Sequence, residues 1–142
     1  MTEERIRSDA NNCFVCGPAN PIGLRIKFRM DDDFCRASFC PGKDYIGYEN
    51  MVHGGIMYSA LDDVMVNWLF LQGATAYTAK CEIRYRQPVA VGTRIELAGW
   101  LIKRKGPLAM LEGTATRATD NEVVADAKAS FIIVDPGDLQ DA

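Results

Sequence analysis

Apolar and polar side chains alternate at Leu24, Ile26, Phe28 and Met30 against Arg25, Lys27 and Arg29, the period of a strand with one buried face. Asn20-Pro21-Ile22-Gly23 before it reads as a turn, and Asp31-Asp32-Asp33 after it as another. Residues 34–40 are therefore predicted to pair back as a hairpin partner, and residues 41–52 form a loop rich in Gly, Tyr and Asn. The pattern then changes. From Gly54 or Gly55 to about Leu71, apolar residues occupy almost every direction of a helical projection, and Gln72-Gly73 ends the run. That is nearly five turns, about 26 Å, and a helix apolar all round lies in the middle of something. In a chain this short the covering layer is a sheet.

The second half supplies it. Tyr77, Ala79, Cys81, Ile83 and Tyr85 alternate with Thr78, Lys80, Glu82, Arg84 and Arg86. Three more long strands are expected at 93–103, 108–119 and 122–134, joined by short turns at Lys105-Gly106-Pro107 and Asp120-Asn121. The predicted class is α+β in the order β-β-α-β-β-β-β: one long antiparallel sheet curled round one buried helix. Long strands at open sheet edges are usually paired away, so a dimer is expected.

Length and composition narrow the picture. The 142 residues fit one domain, 1–142, with frayed tails expected at 1–12 and 136–142. No apolar run reaches the roughly 18 residues of a membrane span, because Asp62, Asp63 and Asn67 interrupt the longest. No apolar signal core follows the charged start, and a cytoplasmic location is expected. A net charge of −3 argues against nucleic acid or an anionic membrane as partner. The odd set of five cysteines is not a secreted disulfide framework. Cys13-Phe14-Val15-Cys16-Gly17 is half of a zinc knuckle; Cys35, Cys40 and the lone histidine do not complete four ligands. Reduced structural thiols, with no metal and no cofactor, are the expectation.

Chemistry concentrates at Asn50-Met51-Val52-His53-Gly54-Gly55-Ile56 and at Leu61-Asp62-Asp63. Two glycines at a helix start allow a ligand close to the backbone, and the unpaired N–H groups there suit a carbonyl oxygen gaining charge. A carboxylate inside an apolar helix is costly unless paired, protonated or useful. Asp62 and Asp63 lie about 100° apart round the helix, and spacing alone does not say which is the reactive one.

His53-Gly54-Gly55 with Asp62 nine residues after the histidine resembles the hotdog-fold acyl-CoA thioesterases of the phenylacetate-pathway type, in the 4-hydroxybenzoyl-CoA thioesterase superfamily. The opening Cys13-Phe14-Val15-Cys16-Gly17 to Asn20-Pro21-Ile22-Gly23-Leu24 and the segment Ile83-Arg84-Tyr85-Arg86-Gln87-Pro88 match as well, so the resemblance covers roughly residues 13–134. It implies that the Gly54 N–H polarises a thioester carbonyl, that Asp62 acts as general base or nucleophile, and that Thr78 positions water. His53, Gly55 and Asn50 would line the substrate site. One departure stands out: where relatives commonly carry Asn or Gln six residues before the histidine, this chain has Gly47.

Gly54 and Asp62 are separated by about 12 Å of helix, too far to serve one carbonyl within one chain. Two helices antiparallel across a two-fold axis would bring each Gly54 to the other copy's Asp62. A homodimer with sites at its interface is expected, and the resemblance extends this to a tetramer. Lys103, Arg104 and Lys105 are the candidates for the phosphates of an acyl-CoA. Two other functions are weighed against hydrolysis: a non-catalytic acyl-CoA-binding protein and an acyl-thioester hydratase or dehydratase. The acyl group, and coenzyme A versus an acyl carrier protein, are not legible.

Overall fold

The structure, a computed structural model, describes residues 9–139. Strands β1 (Arg29–Asp31) and β2 (Phe34–Phe39) precede helix α1 (Gly54–Phe70). Four strands follow: β3 (Thr75–Tyr85), β4 (Ile95–Lys105), β5 (Leu108–Arg117) and β6 (Val123–Asp135). They form a six-stranded sheet in the order β1-β2-β4-β5-β6-β3, every neighbouring pair antiparallel. The helix lies across its concave face, as the two hydropathy periods require.

Leu61, Val64, Met65 and Leu69 of α1 are fully enclosed with Ile95, Leu97, Leu111 and Phe131 of the sheet. Each large apolar side chain so buried contributes about 1.5–3 kcal/mol. The helix seats closely because Gly99 and Gly113 pair beneath it; a Cβ on Gly99 would lie 2.7 Å from the Val64 carbonyl oxygen. The buried strand positions around them are small too, at Ala109, Ala115, Ala127 and Ala129.

Two expectations need correction. The strand expected over Leu24–Met30 shrinks to Arg29–Asp31. Arg25 takes a left-handed backbone, φ 53°, and the Leu24 and Ile26 amides donate to Phe14 and Val15 carbonyls instead of a strand ladder. Alternating burial survives, with Ile26 and Phe28 in the core. Of the expected frayed tails, 1–8 and 140–142 lie outside the described residues, but the flanking segments are held. The Ala19 amide donates to Asn11, and Gly137 presses so close to the Gly73 carbonyl that a Cβ would reach 2.1 Å. β3 is an edge strand whose outer side has no neighbour among the described residues.

Candidate active site

Helix positions 54, 58 and 62 are four residues apart and so share one face. That stripe faces β3, and a hydrogen bond ties each level of it to the strand. The Tyr85 hydroxyl donates to the Gly54 carbonyl at 2.7 Å, the Tyr58 hydroxyl to the Cys81 carbonyl at 3.1 Å, and the Thr78 hydroxyl to Asp62 Oδ1 at 2.8 Å. Sequence reasoning named Thr78 but missed Tyr58 and Tyr85. The signal was available, since Tyr58 falls midway between Gly54 and Asp62 at helical spacing.

At the N-terminal end of the stripe, His53 is the helix cap. Its Nδ1 accepts the Gly55 amide at 2.8 Å, which leaves Nε2 to carry the proton of a neutral ring. Its carbonyl accepts the Ile56 amide. The Gly55 N–H is thus satisfied within the chain, whereas the Gly54 N–H has no acceptor among the described residues. A Cβ on Gly54 would sit 3.4 Å from the Tyr85 ring, so there is little room for a larger residue. The free donor, at the positive end of the helix dipole, suits an oxygen acquiring negative charge.

At the other end Asp62 is largely shielded from solvent. Burial pushes its pKa up from the ordinary carboxylate value, and the Thr78 hydroxyl partly opposes the shift. Asp63 turns away from this stripe. It is buried and accepts Asn67 Nδ2 at 2.9 Å; burial, then the charge of Cys13, raises it to about 7. The two neighbouring carboxylates therefore belong to different environments, and Asp62 alone lies along the open strand edge.

Other candidates fall less directly. Asn50 is exposed with φ 64°, and its carbonyl accepts the Val91 amide at 2.9 Å; it shapes the turn before the helix. A Cβ on Gly47 would lie 3.5 Å from the His53 ring, so the departure from the usual Asn or Gln lies against the cap. Beside them is a shallow depression of ≈ 360 Å³ lined by Asp44, Tyr45, Ile46, His53, Gly55 and Ile56. Lys103, Arg104 and Lys105 are divided by strand alternation. Arg104 pairs with buried Ala109, which pairs with buried Phe131, which pairs with Thr78. Arg104 thus shares the helix-facing side with Thr78, three strand spacings or about 14 Å away. Lys103 and Lys105 pair with exposed Met110 and Leu108, on the outer face. Arg104 also donates to its own turn, at the Gly106 carbonyl.

Comparison with known proteins agrees with this architecture. Similar solved structures include a thioesterase superfamily protein with a TM-score of 0.76 and 25% identity, covering 83% of this chain. This chain spans 61% of the length of that protein. The Escherichia coli PaaI protein from the phenylacetic acid degradation operon superposes with a TM-score of 0.73 at 16% identity, over 80% of this chain and 83% of its own. A hypothetical thioesterase from Streptococcus pneumoniae, solved with coenzyme A, gives 0.72 at 14% identity, over 78% of this chain and 89% of its own. No curated protein matches the chain in sequence. No helix among the described residues is long and apolar enough to cross a membrane. The model of the thioesterase superfamily matches residues 49–124, a span that holds the helix mouth, Asp62 and Thr78. The chain, with its single helix on an antiparallel hotdog sheet, belongs to the thioesterase superfamily.

Proposed function

We propose that the protein hydrolyses an acyl-CoA thioester to a free acid and a thiol. The observation that carries this is the placement of an unused amide, Gly54 N–H, and a shielded carboxylate, Asp62, on one helix stripe along an open strand edge. The amide polarises the thioester carbonyl. The carboxylate drives attack in one of two ways: it takes a proton from a water that adds to the carbonyl, or it adds to the carbonyl itself to give a mixed anhydride that water then hydrolyses, restoring Asp62. In both the carbonyl–sulfur bond breaks, and the thiolate leaves and takes up a proton as the free thiol. Thr78 holds Asp62 in place for either route.

About 12 Å of helix separates the two groups, so the reaction is assigned to a homodimer in which β3 pairs with its own copy. A two-fold axis beside the middle of β3 runs the two copies antiparallel and brings the Thr78 end of one strand to the Tyr85 end of its partner. Thr78 carries Asp62 and Tyr85 carries Gly54, so this arrangement completes two sites per dimer. Coenzyme A seen with the Streptococcus pneumoniae relative, and acetyl CoA with a Streptococcus mutans protein of similar fold, support the choice of carrier. Arg104, on the helix-facing side, is the residue assigned to its phosphates.

Thiol release from short, medium, long and aromatic acyl-CoAs tests the reading. Turnover of at least one class is expected, falling by about 10²–10⁴-fold in Asp62→Asn. The absence of cap-adjacent Asn or Gln at Gly47 favours a second reading, an acyl-CoA-binding protein without turnover. Binding of every class with no thiol release would establish that reading and overturn hydrolysis.

A further inference from the structure

We propose that Cys13, Cys16 and Asp63 hold a zinc-class divalent cation that ties the N-terminal loop to helix α1. The sequence offered half a knuckle and no second half. Folding supplies the missing ligand from the helix, because the two thiols and one Asp63 carboxylate oxygen all lie within 4.8 Å of one another. Cys13 Sγ is 3.9 Å from Asp63 Oδ1. A tetrahedral ion with arms of about 2.3 Å to sulfur and 2.0 Å to oxygen needs about 3.5 Å. A contraction of a few tenths of an ångström closes this pair, and the other pairs, which lie within 4.8 Å, close by at most about 1.3 Å.

The loop has the build of a metal knuckle. The Cys16 amide points at Cys13 Sγ, 3.5 Å away, and the Gly17 amide donates to the Cys13 carbonyl at 2.9 Å. Gly17 is required there, since a Cβ would come 2.3 Å from the Cys13 nitrogen. Asp63 is buried, and no cationic side chain among the described residues pairs with it. A divalent ion supplies the missing positive charge, and thiolate donors select zinc over magnesium or calcium.

Asn67 completes the surroundings, with Nδ2 at 2.9 Å from Asp63 Oδ2 and 4.0 Å from Cys16 Sγ. It orients the carboxylate as outer partners of metal ligands do. The half-buried thiols leave an entry path from the surface, and a water fills the fourth position. Cys35 is buried nearby, where burial and then the Asp63 charge push it up to about 12; it stands outside the cluster and remains a thiol.

The test uses the full chain, reduced and stripped of metal, titrated with Co²⁺. Thiolate charge-transfer and tetrahedral d–d bands are expected to appear and to bleach on addition of Zn²⁺. Cys16→Ser and Asp63→Asn should each weaken Co²⁺ binding by at least the roughly 10–100-fold that loss of a mere outer partner costs. Cys40→Ser, exposed and outside the cluster, should leave the titration unchanged. If a variant fails to fold, the melting temperature of the unaltered chain with and without Zn²⁺ decides, and a rise is expected. No bands and no rise in the folded, reduced protein would overturn the proposal, as would bands indifferent to Cys16→Ser and Asp63→Asn. A Cys13–Cys16 disulfide that, once reduced, takes up no metal would overturn it equally.

Discussion

Replacing Gly99 by alanine probes how closely the helix must sit on the sheet. The added Cβ would stand 2.7 Å from the Val64 oxygen, 3.0 Å from its carbonyl carbon and 3.3 Å from Met65 Cα. All three are helix backbone, so no side chain can swing aside. Reaching ordinary contact needs a shift of about 0.7 Å in α1 or β4, and overpacking of this kind costs about 1–3 kcal/mol. With an unfolding entropy of roughly 2.1 cal/mol/K per residue, that lowers the melting temperature by about 3–10 °C. Gly113→Ala should cost less, because its nearest neighbour is the flexible Met65 Cγ at 3.2 Å. Gly42→Ala, with nothing within 4 Å, serves as control. The same lift strains the 2.8 Å Thr78–Asp62 bond, and turnover of acyl-CoA should fall further than melting alone explains, since misplacement by about 1 Å can cost 10²-fold. Thermal melts and steady-state thiol release on the three variants decide it. A Gly99→Ala protein that melts with the Gly42→Ala control would refute the close seating.

Other outcomes follow from the site. Asp62→Asn should keep the fold and lose turnover, whereas Asp63→Asn should lower the stability by about 1–3 kcal/mol because a buried network with Asn67 and Cys13 is broken; a dead Asp63→Asn beside an active Asp62→Asn in the thiol-release assay would reverse the assignment. Tyr85→Phe removes the donor to the Gly54 carbonyl and should cost about 0.5–1.5 kcal/mol in a denaturant melt, with a smaller loss of kcat than Asp62→Asn; an unchanged melt would show the tie is idle. Arg104→Ala should raise KM for acyl-CoA and flatten its salt dependence while sparing an N-acetylcysteamine thioester. Equal losses on both substrates, or larger effects from Lys103→Ala, would remove Arg104 from the phosphate site.

Much of the fold is written in hydropathy periods. The all-round apolar run set α1 to within a residue, and long alternating segments located β3 to β6. The ends shifted by up to two residues, since pairing partners rather than propensity decide where a ladder stops. Leu24 to Met30 misled because alternating burial does not specify what the backbone pairs with, and here the partner is the Cys13–Cys16 loop. At the candidate site, helical spacing showed that Gly54 and Asp62 lie far apart along one helix, while the choice of Asp62 over Asp63 came from the family resemblance. The site was illegible where distant segments meet: Asp63 and Cys13 are 50 residues apart. The bulge between Leu101 and Lys103 sets which of the three basic residues faces the helix, and composition cannot register it.

The division of each site between two copies is tested most directly by mixing two inactive proteins. Asp62→Asn subunits retain Gly54, and subunits enlarged at Gly54 retain Asp62, so a mixed dimer holds one intact site and one doubly damaged site. Random mixing puts about half of the dimers in this mixed class, and thiol release should recover to about a quarter of the wild-type rate per subunit. No recovery, with heterodimers demonstrated by mass, would place both residues at one chain's own site and contradict the split arrangement.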